Sequence, residues 1–249
     1  MRRSCCLPDP DAREQAVLSL LDRWPWELGG VIIGGYAVAA YGPPRYSNDV
    51  DIVIPKEASA PIRAWLRSEG LKLIKHSVPN PQNFAGQVER YQSTPIALDL
   101  LADAVRDRDA KVDIPVTWVS KGARKARLVT LSGRTSVDVP IARPEALWAL
   151  KLQAGRPRDI SDLFAIVGTP FDAAEIHSLF RALSTESLAK KLHSVRTKVR
   201  ATKTYTDSLS RRRLGSPSDP RNVRLWAHFV ATVDRVIQPV EVREGLRTT

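Results

Sequence analysis

The stretch Gly34–Pro55, GGYAVAAYGPPRYSNDVDIVIP, decides how this chain is read. It follows the apolar run Val31–Ile33, opens on two glycines, and closes on an apolar run that carries Asp49 and Asp51. In a strand, residues i and i+2 share a face. Asp49 and Asp51 therefore project together with Cα atoms roughly 6.6 Å apart, while Val50, Ile52 and Ile54 turn toward a core. Two carboxylates about 6 Å apart repel by roughly 3 kcal/mol at an effective dielectric near 20. A divalent cation or a set of basic partners removes that cost. Mg²⁺ takes oxygen ligands, commonly one or two carboxylates plus substrate phosphates. The plain alternative is an edge strand with its acids in water. The glycines weigh against it. A pair of residues without Cβ lets backbone approach a phosphate closely, and the start of a helix offers unsatisfied N–H groups.

A third acid extends the pattern. Asp99 sits between Leu98 and Leu100 in PIALDLLAD, where a carboxylate is costly unless it is paired, hydrogen-bonded or metal-bound. It is either a further metal ligand or the partner of a basic residue such as Arg90. Around these residues the pattern predicts helix from about 11 to 24, with Asp11 and Glu14 as a capping box. Strands follow at 31–33 and 50–54, a short helix lies between them, and a further helix covers 61–69. Strands at 71–74, 87–92 and 95–101 come next, then a hairpin of 126–131 and 135–141. After Pro144 the periodicity becomes helical: 145–154, 159–167, 173–183, 186–204 and 222–237. The expected class is therefore α/β (α+β). A mixed-sheet domain spans residues 1–143, and a helical domain spans 144–249. Residues 208–221, SLSRRRLGSPSDPR, read as a linker or loop.

Bulk properties agree with a globular protein. The chain has 249 residues, 43% hydrophobic and 26% charged. Cys5 and Cys6 are adjacent and form neither a disulfide framework nor a zinc spacing, which suits a reducing, cytoplasmic setting. Met1–Arg13 has no apolar core, so no secretory leader is expected. The uncharged run 28–44 is broken by five glycines and two prolines, and reads as strand, turn and helix, not a membrane span. The net charge of +11 favours polyanionic partners. Nine of those eleven charges lie in residues 190–224, where eleven Lys/Arg face only Asp207 and Asp219. The four histidines are scattered without ligand spacing, and the six tryptophans read as core.

Gly34-Gly35, Asp49-Val50-Asp51 and Asp99 together resemble the DNA polymerase β-like nucleotidyltransferase superfamily. RYSNDVDI (Arg45–Ile52) looks like its minimal bacterial branch, which includes the AbiE-type and MenT-type toxins of toxin–antitoxin pairs. ALWALKLQAGRPRDISDL (Ala146–Leu163) is similar to that branch's lysine helix and following Arg-Asp-x-x-Asp element, here Lys151, Arg158, Asp159 and Asp162. The resemblance covers residues 31–163. It implies transfer of a nucleoside monophosphate from an NTP to an acceptor hydroxyl. It also implies catalytic Asp49, Asp51, Asp99 and Lys151, with the three aspartates holding Mg²⁺ (or Mn²⁺). Asp99 is alternatively the general base. Nucleotide binding is expected from Gly34, Gly35, Arg45, Ser47, Lys151 and Asp159.

The acceptor is a separate question. Lys190, Lys191, Arg196, Lys198, Arg200, Lys203, Arg211, Arg212 and Arg213 are candidates to line RNA phosphates, in shape- and charge-driven, salt-sensitive binding. The alternative is a solvated basic helix. The resemblance makes the tRNA 3′ end the leading acceptor and implies an antitoxin partner. Other readings stay open: nucleotidylation of a small molecule such as an aminoglycoside, modification of a protein, or a non-catalytic nucleic-acid-binding module. A cationic drug calls for an acidic acceptor site, which the basic segment opposes, and the intact trio of acids opposes a pseudoenzyme.

Overall fold

A computed structural model describes residues 9–43, 45–77, 86–107 and 109–243, with side chains through residue 237. Cys5, Cys6 and Pro44 lie outside the described residues. The order is α1 (Pro10–Asp22), β1 (Val31–Ile33), α2 (Gly34–Tyr41), β2 (Val50–Ile54), α3 (Ser59–Ser68), β3 (Lys72–Ser77), β4 (Gln87–Ser93), β5 (Ile96–Ala102), β6 (Ala104–Arg106) and β7 (Asp113–Pro115). Then come α4 (Val116–Ser120), β8 (Arg124–Val129), β9 (Ser136–Ile141), α5 (Pro144–Ala154), α6 (Pro157–Ala165), α7 (Ala173–Ala182), α8 (Glu186–Val199), α9 (Thr202–Arg212) and α10 (Pro220–Arg243).

Seven strands form one mixed sheet in the order β3-β4-β5-β2-β1-β9-β8, and β6 pairs with β7 apart from it. The β2 strand lies near the middle, antiparallel to β1 and parallel to β5. Its apolar residues explain that position: Val50, Ile52, Val53 and Ile54 are all buried, and fully burying each such side chain is worth about 1.5–3 kcal/mol. Val53, on the Asp51 side of the pleat, is buried as well, so only the N-terminal end of β2 opens to solvent.

The α2 helix packs on β1, β2 and β8, and it also touches α5 and α6. The α5 helix is buried almost all round because it sits between α2 and the helices α6, α7 and α8. It closes on Gly155 at φ 56°, where a Cβ would lie 2.6 Å from Val195 Cγ2 of α8. Buried hydrophobics from Val17 to Ile237 form one contiguous cluster. In and against this cluster the rings of Trp148, Phe164, Phe171, Tyr205, Trp226 and Phe229 join α5 and α6 to α9 and α10.

Several expectations need correction. Asp9, not Asp11, caps α1, and Glu14 is buried and accepts the Leu131 N–H at 2.7 Å. The helix expected over 186–204 is two helices, broken at Arg200-Ala201. Half of the expected loop at 208–221 is helical, because Ser208, Leu209 and Arg212 are buried against α6. The β6–β7 pair and α4 carried no clear periodicity; Ala110, Val112, Ile114, Val116 and Val119 fold inward there. Among the described residues, no helix is long and apolar enough to cross a membrane.

Candidate active site

The sheet register builds the site. Lys75, Arg90, Asp99, Asp51 and Ile33 are consecutive partners across β3, β4, β5, β2 and β1. In-register neighbours on adjacent strands share a face, so one row runs from cation to acid to acid. The Arg90 guanidinium grips Asp99 at both oxygens, Nε to Oδ1 at 2.6 Å and Nη2 to Oδ2 at 2.5 Å. The same Nη2 donates to Asp49 Oδ2 at 3.1 Å. Charge-assisted, two-pronged pairs of this kind are the strong ones, and the Asp99 hydrogen bonds hold the guanidinium above its usual pKa. Asp99, expected as a metal ligand or general base, is thus already occupied by a cation.

Asp51 is different. Among the described residues it makes no ion pair. Burial above all, and then Asp49 and Asp99, push its carboxyl up to about 7 against the pull of Lys151 and Arg156. Its Oδ2 lies against Gly34, the first residue of α2: a Cβ there, at φ 65°, would sit 2.0 Å from that oxygen. A Cβ on Gly35 would collide with Ser47 Oγ at 2.3 Å and Arg45 Nη2 at 2.5 Å. Both glycines are therefore required by close approach, and Gly34 also by its backbone angle. No side chain caps α2, so its leading N–H groups stay available beside the carboxylate and the guanidinium.

Lys151 of α5 and Asp159 and Asp162 of α6 form a buried network behind this turn. Lys151 Nζ lies 2.9 Å from Asp159 and 2.7 Å from Asp162. Burial alone would raise Asp159, but Lys151 and Arg156 outweigh it and hold its carboxyl below the usual range. Asp159 stands in the first turn of α6 and accepts the Arg156 backbone N–H at 3.2 Å. Asp162 also receives Arg45 Nη2 at 3.1 Å and the Arg212 guanidinium. Lys151, expected on the nucleotide phosphates, is thus held by two carboxylates in this state, near enough to Asp51 to act on its charge. Arg90, Arg156 and Arg212 are the site residues that sequence spacing did not reveal as such. Only Arg90 carried a signal, as a basic residue on the strand next to Asp99.

The basic segment does not present one uniform surface. Arg212 is buried, bonded to Asp162 and the Ser161 carbonyl, and burial lowers its pKa to about 10. It is a tie between α9 and α6, not a surface contact for RNA. Arg196 and Arg200 pair with Asp234, Lys191 with Asp109, and Lys190 with Glu186. Lys198, Lys203, Arg211 and Arg213 are exposed and make no ion pair among the described residues.

The donor set fits a divalent ion in one way. Among the described residues, no group of three His, Cys, Asp or Glu side chains comes together to hold a metal. Asp49 and Asp51, beside a helix start that can bind phosphate, suit an ion that completes its shell from substrate oxygens and water. The raised pKa of Asp51 comes first from burial and then from Asp49 and Asp99, so a bound cation would stabilise its charged form.

The glycine turn after β1, with Asp49 just before β2 and Asp51 on it, is the arrangement expected of a nucleotidyltransferase. Residues 21–238 match the family model described as nucleotidyl transferase AbiEii toxin, type IV TA system. The chain belongs to this family. No curated protein matches it. Among solved structures it is similar to a candidate nucleotidyltransferase from H. pylori at 16% identity, covering 99% of this chain and 100% of that one, with a TM-score of 0.37. It is also similar to the Elizabethkingia meningoseptica CdnE cyclic dinucleotide synthase, at 13% identity, coverage of 94% and 92%, and a TM-score of 0.27.

Proposed function

We propose that the chain transfers a nucleoside monophosphate from an NTP to an acceptor hydroxyl, releasing pyrophosphate, with Mg²⁺ or Mn²⁺ held by Asp49 and Asp51. The observation that carries this reading is the Asp51 carboxylate, close to Asp49 and Asp99, without an ion pair among the described residues and packed on Gly34 at the uncapped start of α2. When bound, the ion would neutralise phosphate charge and stabilise the in-line transition state. The protein's own contribution is positioning. Backbone N–H groups at Gly34 and Gly35 and the Ser47 hydroxyl donate to phosphate oxygens, and Arg45 and Lys151 add positive charge behind them. Asp159 and Asp162 hold Lys151 on the site side of α5.

RNA is the acceptor that best suits the exposed cations Lys198, Lys203, Arg211 and Arg213, and the tRNA 3′ end is the leading hydroxyl. A growth-arresting role opposed by an antitoxin follows from the family. The test uses labelled NTPs and Mg²⁺ with total RNA, total protein and an aminoglycoside as competing acceptors. Label on RNA is expected from wild type, and none from Asp49→Ala or Asp51→Ala. Equal labelling by those variants refutes the mechanism, and label on protein or drug refutes the acceptor.

A further inference from the structure

We propose that Arg90 is a built-in cation that takes the place of a second divalent ion, so the site binds one metal per nucleotide. The inference rests on the metal-dependent reading above and narrows it to a stoichiometry. Both Asp99 oxygens and one Asp49 oxygen are committed to the guanidinium. A second ion on Asp99 would have to compete with the guanidinium for an oxygen that it already holds. Arg90 is also poorly placed to leave. Its partner on the far strand is Lys75, so a swing away from the acids carries it toward a like charge. Lys75 is exposed, which softens that repulsion without reversing its sign. Asp51 and the uncommitted oxygen of Asp49 are left as protein ligands for a single ion, with triphosphate oxygens and water completing the shell. In this arrangement Asp99 is a positioning residue: it holds Arg90 as a fixed positive charge beside the metal and ligates nothing.

The experiment counts bound Mn²⁺ by electron paramagnetic resonance, with calorimetric affinities, in the presence of the α,β-methylene analogue of each ribonucleoside triphosphate in turn. Wild type is expected to hold one Mn²⁺ per chain with the analogue that binds best. Arg90→Gln is expected to hold two, and Arg90→Gln/Asp99→Asn one again, which puts the extra ion on Asp99. Asp99→Asn alone tests the same idea in a chain that keeps Arg90. It is expected to hold one ion still, with affinity lowered about tenfold because the released Arg90 competes for Asp51, whereas Asp51→Asn loses the ion. Two ions on wild type, one ion on Arg90→Gln, or complete loss of the ion in Asp99→Asn overturns the proposal for Arg90 and leaves metal-dependent transfer standing. No bound ion on wild type with any analogue overturns both.

Discussion

Replacing Asp51 by Asn should make the metal-free protein more stable while it abolishes transfer. The folded carboxyl sits near pH 7 against an ordinary carboxylate value of 3.8. A carboxyl raised on folding costs nothing below its unfolded pKa, costs progressively more as pH rises through the gap, and reaches its full cost above the folded pKa. One pKa unit corresponds to about 1.4 kcal/mol. Linkage over this gap then gives about 4 kcal/mol at pH 8 and under about 2 kcal/mol at pH 5. The carboxylate is partly open to water, and screening reduces those figures by about half. Asn keeps the shape and the packing on Gly34 without the charge. Asp51→Asn should therefore exceed wild type by about 2 kcal/mol at pH 8, roughly 4–8 °C in Tm for a chain of this size, with the gap closing toward pH 5.

The assay is thermal unfolding in chelator across pH 5–8.5, repeated with Mn²⁺ and an NTP analogue. Wild type should recover most of the lost stability on adding metal and nucleotide, because the ion supplies the missing counter-charge, and the variant should not respond. Equal melting temperatures at pH 8 in chelator, or a less stable variant, would refute the claim that Asp51 is held at a cost to the fold.

Gly34→Ala should lower kcat/KM at least tenfold, since its Cβ would fall 2.0 Å from Asp51 Oδ2. Gly70→Ala shares a positive φ of 78° but meets nothing within 4 Å, so it should cost only about 1 kcal/mol of backbone strain and leave kinetics unchanged. Asp162→Ala removes the anion shared by Lys151, Arg45 and Arg212. Leaving buried cations uncompensated should cost about 3–5 kcal/mol in denaturant unfolding. Changing Lys203, Arg211 and Arg213 to Ala together should weaken RNA binding and flatten its log-affinity against log-salt slope by about 2 to 3, with no change in Tm. An unchanged slope would show that RNA does not use this surface.

The strand that carries Asp51 was legible because its pattern is local. The apolar residues of β2, two acids on one side and two glycines just upstream are all read within 22 residues, and the observed bounds of β1 and β2 coincide with those read from the sequence. The partners of the acids were less legible, because register and helix packing set them. Nothing in the spacing between Arg90 and Asp99 says that β4 and β5 pair with those residues opposite one another; one residue of slip would send Arg90 to the other face. Arg212 failed for a related reason. In a run of three arginines each looks equally solvated, and only the docking of α9 on α6 decides that the middle one turns inward to Asp162. Charge runs reveal composition, whereas burial selects which member does the structural task.

The distribution of counter-charge around the four acids follows a consistent logic. Asp159 and Asp162 lie deep and are fully matched by Lys151, Arg156, Arg45 and Arg212, as buried charges must be if the fold is to stand. Asp99 lies at the rim and is matched by Arg90 alone. Asp51, between them, is left without a partner, although Arg90 and Lys151 are both within electrostatic reach. Lys151 is held back by two carboxylates on α6, and Arg90 by Asp99 and Asp49. Each cation that could have quenched Asp51 is bound by another acid, so the structure keeps one carboxylate underneutralised at the mouth of α2. A second cation reaching Asp51 would stabilise the empty protein and block the ion. Asp159→Asn should test this, because a Lys151 held by one carboxylate fewer can turn toward Asp51. The expected result is Mn²⁺ affinity lowered about tenfold; unchanged Mn²⁺ affinity would show that the α6 acids do not restrain Lys151.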